Sequence, residues 1–141
     1  ARILIPRMTA RGGGYLLNTA SAAGLLTNLG DAPYTVTKSA AVALAEWLSI
    51  THGDDGIKVS CLAPMAVRTP MTDSDDPAVA NVVSHGMIEP ETVADAVVAG
   101  IASEQLLILP HPEVAQFMAT KASAHEKWLG GMRRLQKQFF G

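Results

Sequence analysis

The stretch "APYTVTKSAAVAL", residues 32 to 44, places a tyrosine one helical turn before a lysine at the head of an alanine-rich segment. Side chains four residues apart lie on the same face of a helix, so we expect Tyr34 and Lys38 to meet. A neighbouring ammonium group favours the phenolate form of a tyrosine. The pair is therefore suited to general acid–base chemistry, although this spacing also arises by chance.

The residues around this stretch predict a long helix. Asp31 is a suitable cap, Pro33 fits a first turn, and Gly53 is a stop signal, so we predict a helix from about Pro33 to Thr51. Helical spacing predicts that one apolar face of this helix contains Val36, Ala40, Ala43, Leu44, Trp47 and Leu48.

The rest of the chain alternates between strand-like and helical patterns that are separated by glycine and proline. The predicted strands are Tyr15 to Ala20, Lys58 to Leu62 and a third in "QLLILP", residues 105 to 110. Residues 89 to 103 and most of residues 111 to 141 are predicted to be helical, the latter with a break at Gly130 and Gly131. Strands joined by helical crossovers predict an α/β fold with a parallel sheet.

Composition limits the classes of function. The chain has 141 residues, 48% of them apolar, and a formal charge of -2, which suits one ordinary core and gives no electrostatic reason to expect nucleic acid. We find no apolar run of membrane-spanning length and expect a cytoplasmic protein. The only cysteine, Cys61, is expected to be buried in a strand. The chain starts at Ala1, as if inside a helix, so we expect it to be part of a longer protein.

A second motif precedes the tyrosine. The run "LNTASAAGLL" delivers Ser21 just beyond a strand end and 13 residues before Tyr34, at the edge of the sheet where ligands bind in open α/β folds. Taken together, the two motifs resemble the signature of the short-chain dehydrogenase/reductase (SDR) family, and the residues that carry the resemblance are Asn18, Ser21, Gly24, Tyr34 and Lys38. The segments "CLAPMAVRTPM" (61 to 71) and "IEPETVADAVVAGI" (88 to 101) extend the resemblance over nearly the whole chain.

The resemblance implies a fold, a reaction and a cofactor. The fold is a Rossmann-type doubly wound parallel sheet, of which residues 1–141 would be the carboxyl-terminal portion. The activity is NAD(P)-dependent interconversion of a secondary alcohol and a ketone, with Tyr34 as acid–base, Lys38 assisting it and holding the nicotinamide ribose, and Ser21 binding the substrate oxygen. The cofactor is NAD or NADP, with the choice left open.

The resemblance also assigns further contacts. The residues it assigns to cofactor binding are Tyr34, Lys38, Pro64, Val67 and Thr69. Thr69 fits equally well as a cap for the next helix. We expect Asn18 to fasten loop backbone and to take no part in catalysis.

The sequence departs from the family pattern at two places. The only glycine cluster, at residues 12 to 14, precedes a strand and so is not the phosphate-binding turn, which implies that the family's cofactor half is absent from these residues. Met65 stands where the family has a glycine after Pro64. Its side chain would either crowd the cofactor or reshape the loop.

Several other residues attract attention. The histidines His52, His85, His111 and His125 share no metal-ligand spacing, so we expect surface or loop positions and no metal. Residues 70 to 87 occupy the family's substrate-covering segment, and their apolar side chains suit either an apolar pocket or core packing. The basic, amphipathic tail, residues 127 to 141, is expected to pack on its own domain or on a partner subunit and not on a membrane.

Two functions remain open at this stage. The first is an oxidoreductase that acts on a small-molecule alcohol or ketone and forms a homo-oligomer, either a dimer or a tetramer. The second is a non-catalytic SDR remnant or assembly module that associates through its long apolar helix, because the chain does not contain the phosphate-binding turn of its family.

Overall fold

The computed structural model describes residues 1–141, which contain three strands, seven α-helices and one short 3₁₀ helix at Pro70–Thr72. In chain order the elements are α1 (Leu4–Thr9), β1 (Gly14–Thr19), α2 (Ala23–Leu26), α3 (Ala32–His52), β2 (Ile57–Leu62), α4 (Pro77–Val83), α5 (Pro90–Ala102), β3 (Leu107–Ile108), α6 (Glu113–Ser123) and α7 (His125–Phe140).

The three strands form one parallel sheet in the order β1-β2-β3. Gly14 pairs with Ile57 at the start of β1, and Thr19 pairs with Leu62 at its end. Parallel neighbours need a crossover, and α3 and α5 lie between the paired strands in the sequence. The predicted α/β architecture is therefore confirmed, with β1 as an edge strand whose other side is unpaired.

The two faces of the sheet carry different helices. Ile57, Val59 and Cys61 of β2 belong to the main hydrophobic core, which they share with buried side chains of α3. The alternate residues point to the opposite face, where the Ser60 hydroxyl donates to the Gln105 carbonyl at 2.6 Å, just beyond α5. Lys58 forms an ion pair with Glu104 on that same side.

Cys61 lies inside the core, as predicted. It is only 1% exposed, and its thiol is free. Burial raises the pKa of the Cys61 thiol because the thiolate would lose its hydration there. This cysteine is therefore a small apolar packing group.

Helix α3 begins and ends as the sequence predicts but packs through a different face. Asp31 accepts a hydrogen bond from the Tyr34 amide at 2.9 Å, and Gly53 follows the last turn. The buried residues are Val42, Ala45 and Leu48, so only Leu48 of the predicted apolar face is correct. Apolar side chains surround most of this helix, and periodicity alone does not identify which of them face the sheet.

The glycine cluster before β1 is a turn between α1 and the sheet. Gly13 has a φ of 130° and approaches the carbonyl of Gly56, whose own φ is 78°. A side chain at Gly13 would collide with that backbone, so the two glycines allow the starts of β1 and β2 to lie side by side. The turn lies at the amino end of the sheet and precedes a strand, as expected from the sequence.

The carboxyl-terminal region differs from its prediction. Helix α7 runs without interruption through Gly130 and Gly131, and the break falls earlier, at Ala124. Neither glycine has a positive φ. The tail packs on its own chain: the Phe140 ring lies against Gly30, and the rings of Trp128 and Phe117 are 6.3 Å apart. Packing of this amphipathic helix overrides the low helix propensity of glycine.

None of the helices combines the length and the apolar character that crossing a bilayer requires.

The continuity of α7 can be tested with an alanine at Gly130. A Cβ there meets only the Arg134 side chain, at 3.8 Å, so Gly130→Ala should raise the free energy of unfolding by about 0.5–1 kcal/mol. Gly24→Ala is the matched control and should destabilise, because a Cβ at Gly24 would lie 2.5 Å from the Lys38 carbonyl oxygen. Urea unfolding measures both, and a loss of stability in Gly130→Ala would mean that the helix breaks there.

Candidate active site

Ser21 lies where β1 leaves the sheet. Backbone pairing continues past the end of the strand, with the Ala20 amide donating to Leu62 at 2.8 Å and the Ala22 amide donating to Pro64 at 2.8 Å. The Ser21 hydroxyl accepts from the Ala23 amide at 3.1 Å and donates to the Pro64 carbonyl at 3.4 Å. The second bond is long, so another acceptor can readily replace it.

Tyr34 and Lys38 meet on one side of α3, as the sequence predicts. The Lys38 Nζ lies 5.5 Å from the centroid of the Tyr34 ring. The same Nζ is 3.5 Å from the Thr19 carbonyl oxygen, which lies at the end of β1. The lysine therefore joins the tyrosine to the carboxyl edge of the sheet, and its three N–H donors are only partly used.

Gly24 brings the Ser21 turn against this helix. Its α-carbon faces the Lys38 backbone so closely that a Cβ would lie 2.5 Å from the carbonyl oxygen and 2.6 Å from the carbonyl carbon. The Ser39 hydroxyl donates to the Gly24 carbonyl at 3.0 Å and fastens the same contact. Only glycine permits this approach, which explains in physical terms the glycine of the motif.

Two more hydrogen bonds join the α2–α3 loop to α3. The Asn28 amide donates to the Thr35 hydroxyl at 2.9 Å, and that hydroxyl donates to the Asn28 carbonyl at 3.2 Å. The start of α3, where Tyr34 lies, is thus fixed to the loop that follows the Ser21 turn.

An apolar cavity of about 890 Å³ opens beside Ser21 and Tyr34. Its lining includes Met65 from the loop after β2, together with side chains from α4, α6 and α7. Met71, Val79 and Val82, from the predicted substrate-covering segment, are among the residues that line it. Residues of that segment therefore form part of a pocket wall, which was one of the two alternatives.

The cavity wall also holds a polar side chain without a partner. Asn81 is 7% exposed, and its Oδ1 is buried without a hydrogen bond. A buried unpaired acceptor of this kind costs roughly 1–3 kcal/mol.

The predicted cofactor residues after β2 are not all brought to this cavity. Pro64 is tied to Ser21 and Ala22 through its carbonyl. Val67 lies farther along, in a bridge to Ile88, and its carbonyl accepts from the Thr72 hydroxyl at 2.7 Å. The Val67 amide has no acceptor within the chain.

Thr69 and Met65 occupy opposite ends of this loop. Thr69 is the N-cap residue of the 3₁₀ helix, the position that the capping alternative gives it, and lines a separate shallow depression. In the same loop, Arg68 donates a hydrogen bond to the Glu89 carboxylate, and this bond raises the pKa of Arg68. Met65 packs against the small hydrophobic cluster of Ala22, Leu26 and Val114.

One expectation about a polar residue is wrong. Asn18 does not fasten a loop: its Nδ2 is buried at β1 and has no hydrogen-bond partner. His111 lies in the loop between β3 and α6, as the loop alternative expects, but this loop position is buried: the residue is 3% exposed and bonds to the backbone of Met65 and Ala66. Its setting "LPHPE", immediately after the third apolar strand, was the only available signal.

No three His, Cys, Asp or Glu side chains in the chain lie close enough to form a metal site.

Comparison with known proteins adds a family to this geometry. The sequence model of the short chain dehydrogenase family matches residues 1–80, which are more than half of the chain. Meso-2,3-butanediol dehydrogenase from Serratia marcescens is 34% identical over 96 residues, which are 64% of this chain and 38% of that protein.

Two solved structures share the fold. The bulky-bulky ketone specific alcohol dehydrogenase from Comamonas testosteroni superposes with a TM-score of 0.68 at 23% identity, over 92% of this chain and 47% of that chain. A short-chain dehydrogenase from Sphingobium yanoikuyae in complex with NADPH gives a TM-score of 0.70 at 24% identity, over 94% of this chain and 50% of that chain.

The chain spans about a quarter to four-tenths of the length of the curated relatives it matches and about half of these two structures. Its three parallel strands and crossover helices correspond to part of the Rossmann-type α/β fold of those structures. By the match over residues 1–80, this chain belongs to the short-chain dehydrogenase family.

Proposed function

We propose that residues 1–141 are the carboxyl-terminal portion of a single NAD(P)-binding domain that interconverts a secondary alcohol and a ketone. One observation carries this proposal: Ser21 and Tyr34 line the same cavity, and the Lys38 Nζ lies 5.5 Å from the Tyr34 ring centroid. A phenol and a hydroxyl in the wall of one apolar cavity, with an ammonium group next to the phenol, can bind a carbonyl oxygen and supply its proton.

In this proposal Tyr34 is the acid–base group. When a ketone is reduced, the Tyr34 hydroxyl gives its proton to the substrate oxygen as negative charge develops there. In the reverse direction the tyrosine oxygen takes the proton from the alcohol. Its place in the cavity wall gives it access to a substrate.

Ser21 and Lys38 assist this transfer. The Ser21 hydroxyl exchanges its long bond to Pro64 for one to the substrate oxygen, which orients the oxygen and stabilises its charge. The Lys38 cation stabilises the tyrosine oxygen when it has lost its proton.

Two groups have hydrogen-bond donors available for a bound nicotinamide nucleotide. The Val67 amide has no acceptor in the chain and is available to a carboxamide oxygen, while the Lys38 ammonium group has donors left for ribose hydroxyls. Pro64 and Thr69 would form the remaining wall of the site, with Thr69 also serving as a cap. The bound NAD or NADP would supply or accept the hydride.

The relatives support this chemistry class. One relative is named a butanediol dehydrogenase, one structural neighbour a ketone-specific alcohol dehydrogenase, and another was solved with NADPH. The cavity, of about 890 Å³ and lined by Met, Val, Leu and Trp side chains, favours a bulky apolar substrate over a small polar one.

We also propose that the protein forms a homodimer or homotetramer through the outer face of α3. Val36, Leu44, Trp47 and Ile50 are exposed along this helix, with Trp47 55% and Ile50 84% accessible. An apolar stripe of this kind is costly to leave in water and is typical of an interface. Association by itself would also fit a non-catalytic assembly module. A measurement of turnover distinguishes the enzyme from such a module.

We place this activity in the cytoplasm. The chain has a single, reduced and buried cysteine and so forms no internal disulfide, which suits a reducing compartment.

Tyr34→Phe should lower the turnover number for ketone reduction by about 10²- to 10⁴-fold in any longer form that also contains a dinucleotide-binding half, because the phenylalanine has no proton to give. Tyr15→Phe is the matched control. Tyr15 is the only other tyrosine and does not line the cavity. Its hydroxyl lies 2.7 Å from the Ser60 hydroxyl, so removal of the Tyr15 hydroxyl should leave turnover unchanged. Steady-state kinetics with an apolar ketone gives both values, and wild-type turnover in Tyr34→Phe would refute the proposed acid–base role.

Trp47→Glu should convert the assembled protein to a monomer, since a carboxylate at the centre of the α3 stripe cannot be buried unpaired. Val98→Glu is the control. Val98 is 69% exposed on α5, which packs on the opposite face of the sheet, so a carboxylate there should leave association through α3 unchanged. Sedimentation velocity of the purified 141-residue chain measures both. A monomeric wild type, or an unchanged assembly in Trp47→Glu, would contradict association through this face.

A further inference from the structure

His111 is the one buried histidine of the chain, and both of its ring nitrogens are bonded to a single loop. The Met65 amide donates to Nδ1 at 3.1 Å, and Nε2 lies 3.1 Å from the Ala66 carbonyl oxygen. A backbone amide can only donate and a carbonyl can only accept. His111 is therefore neutral, with its proton on Nε2.

The loop that His111 holds is the same loop that holds Ser21. The Pro64 carbonyl, adjacent to the Met65 amide in the chain, accepts from the Ser21 hydroxyl at 3.4 Å and from the Ala22 amide at 2.8 Å. Met65 itself lines the cavity. Through the bond from the Ala22 amide, which stays in place when the Ser21 hydroxyl turns to a substrate, the Pro64–Met65 peptide positions the backbone of the Ser21 turn and one cavity wall.

The Ala22 amide fixes the carbonyl side of this peptide, and His111 alone fixes its amide side. The Met65 amide has no backbone acceptor, and the Ala66 carbonyl accepts otherwise only from the Ile88 amide, at 3.2 Å. His111 is itself fixed at the start of α6, where its carbonyl accepts a hydrogen bond from the Val114 amide at 3.1 Å. The residue is 3% exposed. The imidazole is thus a rigid two-point support.

We propose that His111 is a positioning residue for Ser21, acting through the Pro64–Ala66 backbone. The role in catalysis rests on the function proposed above, whereas the support of the loop does not. In this proposal His111 contacts neither the reacting oxygen nor the nicotinamide. It positions Ser21, whose hydroxyl contacts the reacting oxygen.

Three substitutions separate the two hydrogen bonds. His111→Asn keeps an acceptor near the Nδ1 position, His111→Gln keeps a donor near the Nε2 position, and His111→Phe fills the space with neither. In the 141-residue chain, ¹⁵N NMR should show the Nε2-protonated tautomer in the wild type. Hydrogen exchange of the Met65 amide should accelerate roughly tenfold in the Phe and Gln variants and stay near wild type in the Asn variant.

The Ala63 amide is the internal control, because it donates to Ile108 at 3.0 Å within the sheet and should exchange equally slowly in all variants. Equal protection of the Met65 amide in wild type and His111→Phe would overturn the proposed support. So would the Nδ1-protonated tautomer. A variant that fails to fold would show fast exchange at Ala63 as well, in which case the Asn and Gln variants decide.

A kinetic measurement tests the link to Ser21. In a dinucleotide-binding form, His111→Phe should lower kcat on the order of tenfold, His111→Asn should restore most of it, and His111→Phe should have no further effect when Ser21 is already alanine. Equal losses with and without the Ser21 hydroxyl would refute the positioning role even if the NMR results hold. If the wild type shows no turnover, the proposed function fails and the exchange data alone decide the loop support.

Discussion

The contact between Gly24 and the backbone of Lys38 is the constraint on which the site depends. A single methyl group at Gly24 would reach within 2.5 Å of the Lys38 carbonyl oxygen, so the α2 turn lies directly on α3 only because glycine occupies that place. Ser21 begins this turn, and Tyr34 and Lys38 lie on the helix that it touches. The approach of two backbones therefore brings a hydroxyl, a phenol and an ammonium group to the same edge of the sheet.

The remainder of the fold encloses this edge. The parallel strands end beside Ser21 and Pro64, and α4, α6 and α7 add apolar walls, with Phe140 fixed against Gly30 near the end of the chain. In the proposed reaction these apolar walls would lower the local dielectric, so that charge developing on a substrate oxygen would interact more strongly with nearby donors than it would in solution. His111, which follows the third strand, accepts a hydrogen bond from the Met65 amide and so connects that strand to the loop that Ser21 contacts.

Local signals in the sequence predicted most of the elements and the pairing of Tyr34 with Lys38, because caps, stops and i, i+4 spacing are local properties. Which face of α3 is buried depends on the sheet it meets, and neither Val42 nor Trp47 carries that information. Gly130 was misjudged because tertiary packing outweighs its propensity. His111 could not be recognised because its partners, Met65 and Ala66, lie some 45 residues away in the chain.

The central claim is that Ser21, Tyr34 and Lys38 act as one unit on a single substrate oxygen. A double-mutant cycle tests it most directly: kcat/KM for Ser21→Ala, Tyr34→Phe and the double variant, measured in a form that binds the dinucleotide. Residues that act as a unit are strongly non-additive, so the double variant should lose about as much activity as the more damaged single variant. Losses that multiply would show that the two side chains act independently and would contradict a shared site.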